Sequence, residues 1–288
     1  MSEELVTVID AGEKEGGWLD VPKSIIENRK LIGKLARNDF KQKFAGSYLG
    51  IIWAFVQPIV TVLVYWFVFT KALPVGTSIM REGISYPYVV WLLSGLVPWF
   101  FFSEVISAGT SALMDYNYLV KKVVFKVSVL PMIKEISSMF VHLFFVGFTL
   151  LFCCFYHLYP GVYTFQLIYY FFCMLMLSVG IIYATSAITV FFQDMRQVVN
   201  IILQVLIWMT PIMWNVDNMT NLNPVIMFIL KLNPMFYIVQ GYRDSLLNHV
   251  WFFEYGSMTV YFWVVTLLIF ILGTSIFNRL KVHFADIL

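Results

Sequence analysis

The stretch ISSMFVHLFFVGFTLLFCCFYHLYPGVYTFQLIYYFFCMLMLSVGIIYATSAITVFFQ, Ile136–Gln193, contains no Asp, Glu, Lys or Arg. A helix crosses ~30 Å of hydrocarbon in about 20 residues. The run is therefore long enough for two crossings, and Pro160-Gly161 divides it into spans over Ile136–Tyr156 and Gln166–Val190. Working outward, the uncharged stretch from Phe44 to Thr70 holds a span over Leu49–Phe69, and Val89–Gly109 holds another, interrupted only by Glu104. Towards the C-terminus, spans are expected over Val198–Trp214 and Tyr255–Phe277. Six crossings put both termini on one side of a membrane.

The composition of the 288-residue chain agrees: 60% hydrophobic, 18% aromatic and 12% charged. Soluble domains average about 25% charged residues, so no pair of soluble cores hides this much apolar surface. The fold class expected is an all-α polytopic membrane protein with six transmembrane helices. Cys153, Cys154 and Cys173 lie in apolar runs and read as packing residues rather than a disulfide framework. The first ~45 residues are polar, so no secretory leader is expected.

Residues 217–254, between the last two spans, are too apolar for a loop and too short for two crossings. Asn223-Pro224 and Asn233-Pro234 punctuate them as helix starts. They read as a re-entrant helical hairpin; the alternative is an amphipathic segment lying on the surface.

Sorting the cations by side orients the spans. The N-terminal segment, the loop after the second span, Arg196 and the tail together carry fifteen Lys and Arg, against four (Lys71, Arg81, Lys231, Arg243) on the opposite side. Cationic loops stay in the cytoplasm, which places both termini there. The division expected is a polar cytoplasmic segment over 1–23, an amphipathic interfacial helix over 24–44, and a six-helix transmembrane bundle over 45–288.

Two elements concentrate this charge. Ser24-Ile25-Ile26-Glu27 has capping-box spacing. In the helix it opens, Ile25, Ile26, Ile32, Ala36, Phe40 and Phe44 form an apolar face beside a stripe of Lys30, Lys34, Arg37 and Lys41. That pattern suits a helix lying against anionic headgroups. The loop 112–131, ALMDYNYLVKKVVFKVSVLP, surrounds three lysines with Tyr116, Tyr118, Leu119, Val120, Val123, Val124 and Phe125. It needs cover from the bilayer surface or from a partner chain.

The chain carries no G-x-x-x-x-G-K-[ST] phosphate loop, no H-E-x-x-H and no C-x-x-C, so neither catalytic residues nor a metal site is expected. Its four His are scattered, and no acid–His relay runs through the spans. Glu104 reads as the one carboxylate within an apolar span, a candidate functional acid. The aromatics that end the first span (Tyr65, Trp66, Phe67, Phe69) and those of the second (Trp99, Phe100, Phe101, Phe102) suit either an interfacial belt or a conduit lining.

Four stretches read together: ARNDFKQKFAGSYLGIIWAFVQPIV from Ala36; SGLVPWFFFSEVISAGTSALMDYNYLVKKVVFKVSVLP from Ser94; FFQDMRQVVNIILQVLIWMTPIMW from Phe191; and LNPMFYIVQGYRDSLL from Leu232. In this order they resemble the membrane subunit of type-2 ABC exporters for polysaccharides, the O-antigen, teichoic acid and capsule permeases. The resemblance implies a homodimer, with two copies of a separate ATPase subunit that binds ATP and Mg, and no cofactor on this chain. It implies a channel for a lipid-linked polysaccharide, with Tyr65, Trp66, Phe69, Trp99 and Phe102 as channel residues. Arg37 and Lys41 would meet the lipid headgroup, and Tyr116, Tyr118, Lys121, Lys122 and Phe125 would couple to the ATPase. The implied location is the bacterial plasma membrane, with membrane lipid but no nucleic acid as a partner. The family often has Arg-Asp where this chain has Gln193-Asp194, and Phe-Pro where it has Phe125-Lys126.

Two rivals remain from the residues. An exporter of smaller hydrophobic compounds or drugs would carry a larger domain between the first two spans than Lys71–Pro87 allows. A membrane enzyme of polyprenyl-linked glycan assembly would cluster Asp or Glu at one face, and the acids here are dispersed.

Overall fold

The structure, a computed structural model, describes residues 20–72, 78–81, 84–120, 126–215 and 223–287. Nearly all of it is helix. Two short helices open it, α1 (Asp20–Glu27) and α2 (Arg29–Gln42). Helix α3 (Trp53–Phe67) is extended by helical turns to the run Gly50–Ala72, and α4 is Tyr88–Asp115. After the one-turn α5 (Asn117–Val120) come α6 (Leu130–Phe155), α7 (Gln166–Phe191) and α8 (Met195–Met209). Helices α9 (Pro224–Leu232), α10 (Pro234–Arg243), α11 (Gly256–Leu280) and α12 (Phe284–Ile287) complete the chain. A two-stranded antiparallel hairpin, β1 (Ser78–Arg81) with β2 (Ile84–Pro87), joins α3 to α4.

Five helical runs are long and apolar enough to cross a membrane: Gly50–Ala72, Tyr88–Asp115, Val127–Phe155, Val162–Phe191 and Phe252–His283. The chain is thus a polytopic helical membrane protein. The remaining span expected, over Val198–Trp214, differs. Its helix begins earlier, at Met195, and stops at Met209. Pro211 has no N–H to donate and drives the residue before it out of the α region; Thr210 sits at φ −88°, ψ 126°. Fifteen residues at 1.5 Å each cover only about 22 Å. The segment expected to be re-entrant contains α9 and α10, which meet at an angle of 90°. Asn233 makes that corner, its side chain accepting from Met235 N–H to cap α10.

Helix α4 is apolar on all sides and lies at the centre, as such a helix must, with Leu92, Leu93 and Leu96 fully buried among α6, α7 and α10. Between apolar helices in lipid, close approach of small residues replaces the hydrophobic drive. The α7–α11 crossing shows this: a Cβ added to Gly273 would lie 1.9 Å from the Gly180 carbonyl oxygen, and one on Gly180 would lie 2.8 Å from the Phe270 backbone. Helix α3 is the opposite case. It packs lightly on α4 and leaves Leu63, Val64 and Phe67 half exposed.

The bundle has two ends. At the near end, α2 packs along α6, Lys134 meets Asp115, and the Tyr183 hydroxyl donates to the Ser128 carbonyl. At the far end, Tyr86 donates to the Leu247 carbonyl (2.8 Å), Tyr88 to that of Met213 (2.7 Å), and Gln166 to that of Val250 (2.9 Å).

The N-terminal region departs from its expected form. Ser24 lies inside α1 rather than capping it, and its hydroxyl is 2.9 Å from that of Ser128. Ile26 points outward at 67% exposure, while Ile32 and Ala36 are buried against α6. The apolar stripe of α2 is therefore covered by protein, and Phe40 meets Phe140 at 5.5 Å.

Candidate functional site

A cleft of about 580 Å³ opens between the C-terminal half of α2, the first half of α3, α4 and α6. Its floor is charged. Asp39 Oδ1 accepts hydrogen bonds from Tyr116 Oη and from Lys134 Nζ (2.8 Å), and Lys134 also lies 3.1 Å from Asp115 Oδ2. The Lys134 ammonium stands 4.9 Å from the Tyr116 ring centroid. Asp39 and Lys134 are largely enclosed, their side chains 12% and 14% exposed. Burial alone pushes the Asp39 carboxyl upward; the bonds from Lys134, Tyr116 and Ser137, with the charge of Lys134, outweigh it and hold the group below its ordinary 3.8. The Tyr116 hydroxyl is raised by burial and by the Asp39 carboxylate it donates to.

This cluster pins both flanks of one segment. Asp115 and Tyr116 precede residues 121–125, and Lys134 follows them. Lys126 adds an exposed contact, 2.8 Å from Glu27 of α1.

The structure places the sequence-derived candidates in separate groups. Tyr116 is buried in the cluster and Tyr118 is exposed beside it, ring centroids 6.3 Å apart. Lys121, Lys122 and Phe125 lie outside the described residues. Arg37 and Lys41 are exposed on α2 and do not line the cleft. On α3, Trp66 is exposed, and Tyr65 and Phe69 are half-buried, Phe69 lying 6.1 Å from Tyr88. Trp99 and Phe102 pack on each other at 6.0 Å and are buried within the bundle. Those two rings offer no free face to a conduit while α4 keeps its neighbours.

Glu104 does not stand alone. It forms an ion pair with Lys43 at the mouth of the cleft, both side chains nearly half exposed. The expectation that it is the single carboxylate within an apolar span needs correction. Glu135 of α6 is fully buried, and its Oε1 accepts from Ser178 Oγ at 2.6 Å. It lies one residue before the uncharged stretch Ile136–Gln193, so the reading of that stretch leaves it out.

A second polar cluster sits at the far end. Arg243, 3% exposed, donates to the carbonyls of Pro211 (2.7 Å) and Ile212 (2.9 Å), and its guanidinium lies 3.6 Å from the Trp91 ring centroid. Asn233 Nδ2 donates to Thr210 Oγ1 at 2.8 Å. These bonds satisfy backbone freed where α8 breaks, as non-helical chain at membrane depth requires, and tie α8 to the bent pair. Gly95 makes room: a Cβ there would come within 2.9 Å of Arg243 Nη2. In the sequence Arg243 reads as loop charge; its only signal was a lone cation in an apolar run.

Among the described residues no cluster of His, Cys, Asp or Glu could hold a metal ion.

A family model described as ABC-2 type transporter matches residues 30–247. The chain is similar to an O-antigen export system permease protein RfbA of Klebsiella pneumoniae, 28% identical over 261 residues that cover 90% of this chain and 95% of the relative. A second Klebsiella pneumoniae protein of that description is 25% identical, with the same coverage. One from Myxococcus xanthus is 24% identical over 79% of this chain and 84% of its own length.

Proposed function

The chain belongs to the ABC-2 type transporter family, and on that premise we propose that it is the permease subunit of an ATP-driven exporter of a lipid-linked polysaccharide of the O-antigen kind. The observation that carries this is similarity along almost the full length of relatives described as O-antigen export permeases. The short hairpin between α3 and α4 favours the same reading over a drug exporter with a large outer domain.

The chain performs no covalent chemistry on this reading. ATP and Mg act on a partner ATPase present in two copies, and two copies of this chain enclose the path. The near end faces the cytoplasm of a bacterial cell, where the cations concentrate. The ATPase docks on the segment around Tyr116, Tyr118, Lys121, Lys122 and Phe125. Its closure presses on a segment whose flanks Asp39 holds, so the movement reaches α2 and, through the Lys43–Glu104 pair, α4. Arg37 and Lys41, free on the outer face of α2, suit the phosphates of a lipid carrier, which cationic donors bind with charge-assisted bonds. Exposed Trp66, with the half-buried Tyr65 and Phe69 beside it, offers an aromatic surface for passing sugar rings. Trp99 and Phe102 join it only when α4 parts from its neighbours. The bent α9–α10 pair is re-entrant at the outer mouth.

The test is co-purification with the ATPase, reconstitution in vesicles, and assay of ATP-dependent movement of a lipid-linked glycan. Movement supports the reading; hydrolysis without movement for every glycan tried overturns it. Within it, Lys121→Glu with Lys122→Glu is expected to weaken ATPase association while leaving the membrane dimer intact. Trp66→Ala with Trp99→Ala is expected to reduce export more than hydrolysis.

A further inference from the structure

The 580 Å³ cleft is polar at one end and apolar at the other. At the near end it is lined by Asp39, Asp115, Lys134, Lys43 and Glu104; the rest of the wall is mainly aromatic, Phe100, Phe101, Phe145 and the half-exposed Trp53, with Gln57, Thr61 and His142 among them. A volume of this size falls within the ~300–1,000 Å³ typical of small-molecule sites. Its two-part lining fits neither a sugar nor a plain hydrocarbon; an amphiphile, headgroup outward and chains inward, matches both parts.

The charges narrow the headgroup. Three carboxylates face two ammonium groups, and Glu104 and Asp115 are each more than 40% exposed, with lone pairs free beyond their single lysine contacts. At Glu104 the lining offers one half-exposed carboxylate beside one half-exposed ammonium, Lys43, a pair that a zwitterion complements and a purely anionic phosphate does not. The anion-attracting Arg37 and Lys41 do not line it.

We propose that the cleft holds one bilayer phospholipid with a zwitterionic aminophosphate headgroup, of the phosphatidylethanolamine type. Its ammonium sits at Glu104, its phosphate meets the neighbouring Lys43, and an acyl chain enters between α3 and α6 along Phe100 and Phe145. The lipid fills the gap left by the light packing of α3, joining that helix to the bundle. It is a resident component of the protein rather than cargo.

The experiment uses the full-length chain in vesicles containing acyl-brominated phosphatidylethanolamine or acyl-brominated phosphatidylglycerol at equal mole fraction. The contribution of Trp53 is obtained by difference against Trp53→Phe. Trp53 is expected to be quenched about three- to fivefold more effectively by the ethanolamine lipid, the scale of preference that half-exposed ion pairs supply. Glu104→Gln should bring the two lipids close to parity, while Lys30→Gln, exposed on α2 away from the cleft, should leave the preference unchanged. Equal quenching in the parent chain, or preference for the glycerol lipid, overturns the proposal. So does Trp53 shielded from both lipids, which would mark the cleft as covered by a second copy of the chain. Neither ATPase nor cargo is present, so failure here leaves the export reading standing.

Discussion

Lys134 Nζ on α6 lies 2.8 Å from Asp39 Oδ1 on α2, across 95 positions of sequence. The same oxygen accepts from Tyr116, at the end of α4. Three elements thus meet on one carboxylate, next to the segment proposed to receive the ATPase. A hydrogen bond to a charged group contributes about 1.5–3 kcal/mol net. Asp39→Asn, which weakens two such bonds at once, is therefore expected to lower stability by about that amount. Thermal unfolding in detergent and protease protection of α1–α2 measure it. In the reconstituted complex the variant should retain ATP hydrolysis while losing most transport, with partial recovery in Asp39→Glu.

The same carboxylate predicts a pH response. Its folded pKa lies below the ordinary 3.8, so its contribution is present above that value and disappears as pH falls through the folded pKa. Attachment of α2 to α6, followed by a distance label on each helix, should stay constant from about pH 7 to 5 and weaken only below about 4. Asp39→Asn should show no such transition.

The α7–α11 crossing should tolerate no side chain. Gly273→Ala places a methyl against a backbone carbonyl that cannot move aside, and overpacking of this kind costs about 1–3 kcal/mol. Gly33→Ala, where nothing lies within 4 Å of the added atom, should be neutral or stabilising by about 0.5–1 kcal/mol, since Ala is the better helix former. Thermal unfolding of the two variants, side by side, checks both.

Arg243 holds the break after α8. Arg243→Lys keeps the charge but loses the planar fork that reaches two carbonyls. Hydrogen exchange over 210–215 should rise, and the midpoint of unfolding should fall. Trp91→Leu, which removes the ring under the guanidinium, should give a smaller loss of about 0.5–2 kcal/mol.

Glu135→Gln should be tolerated, because an amide oxygen can accept from Ser178 as the carboxyl oxygen does. Glu135→Ala leaves Ser178 Oγ to the Met174 carbonyl of its own helix, 2.9 Å away, so the loss is that of the emptied space, read as a lower unfolding temperature.

The spans that were legible were those whose apolar length exceeds a bilayer, from α3 through α7 and again α11. Length and charge are properties of one segment, and they read directly from order along the chain. The apolar face of α2 was also legible as a stripe, but not its destination: the same stripe suits a bilayer or a neighbouring helix, and α6 takes it. The end of α8 was misplaced because Pro211 acts on the backbone before it, and the apolar run continues unbroken past that point.

The sequence by itself determined that this is a helical membrane protein, with fifteen of its nineteen Lys and Arg in the N-terminal segment, the loop after the second span, Arg196 and the tail. Only the tertiary structure decided which charges meet. Asp39, Tyr116 and Lys134 come together because α2 and α4 both lie against α6. Lys43 and Glu104 pair across 61 positions, and Arg243 turns inward because carbonyls freed at Pro211 need donors. In an apolar medium each polar group must find a partner or a cavity. Partners far apart in sequence are brought within reach by helix packing alone.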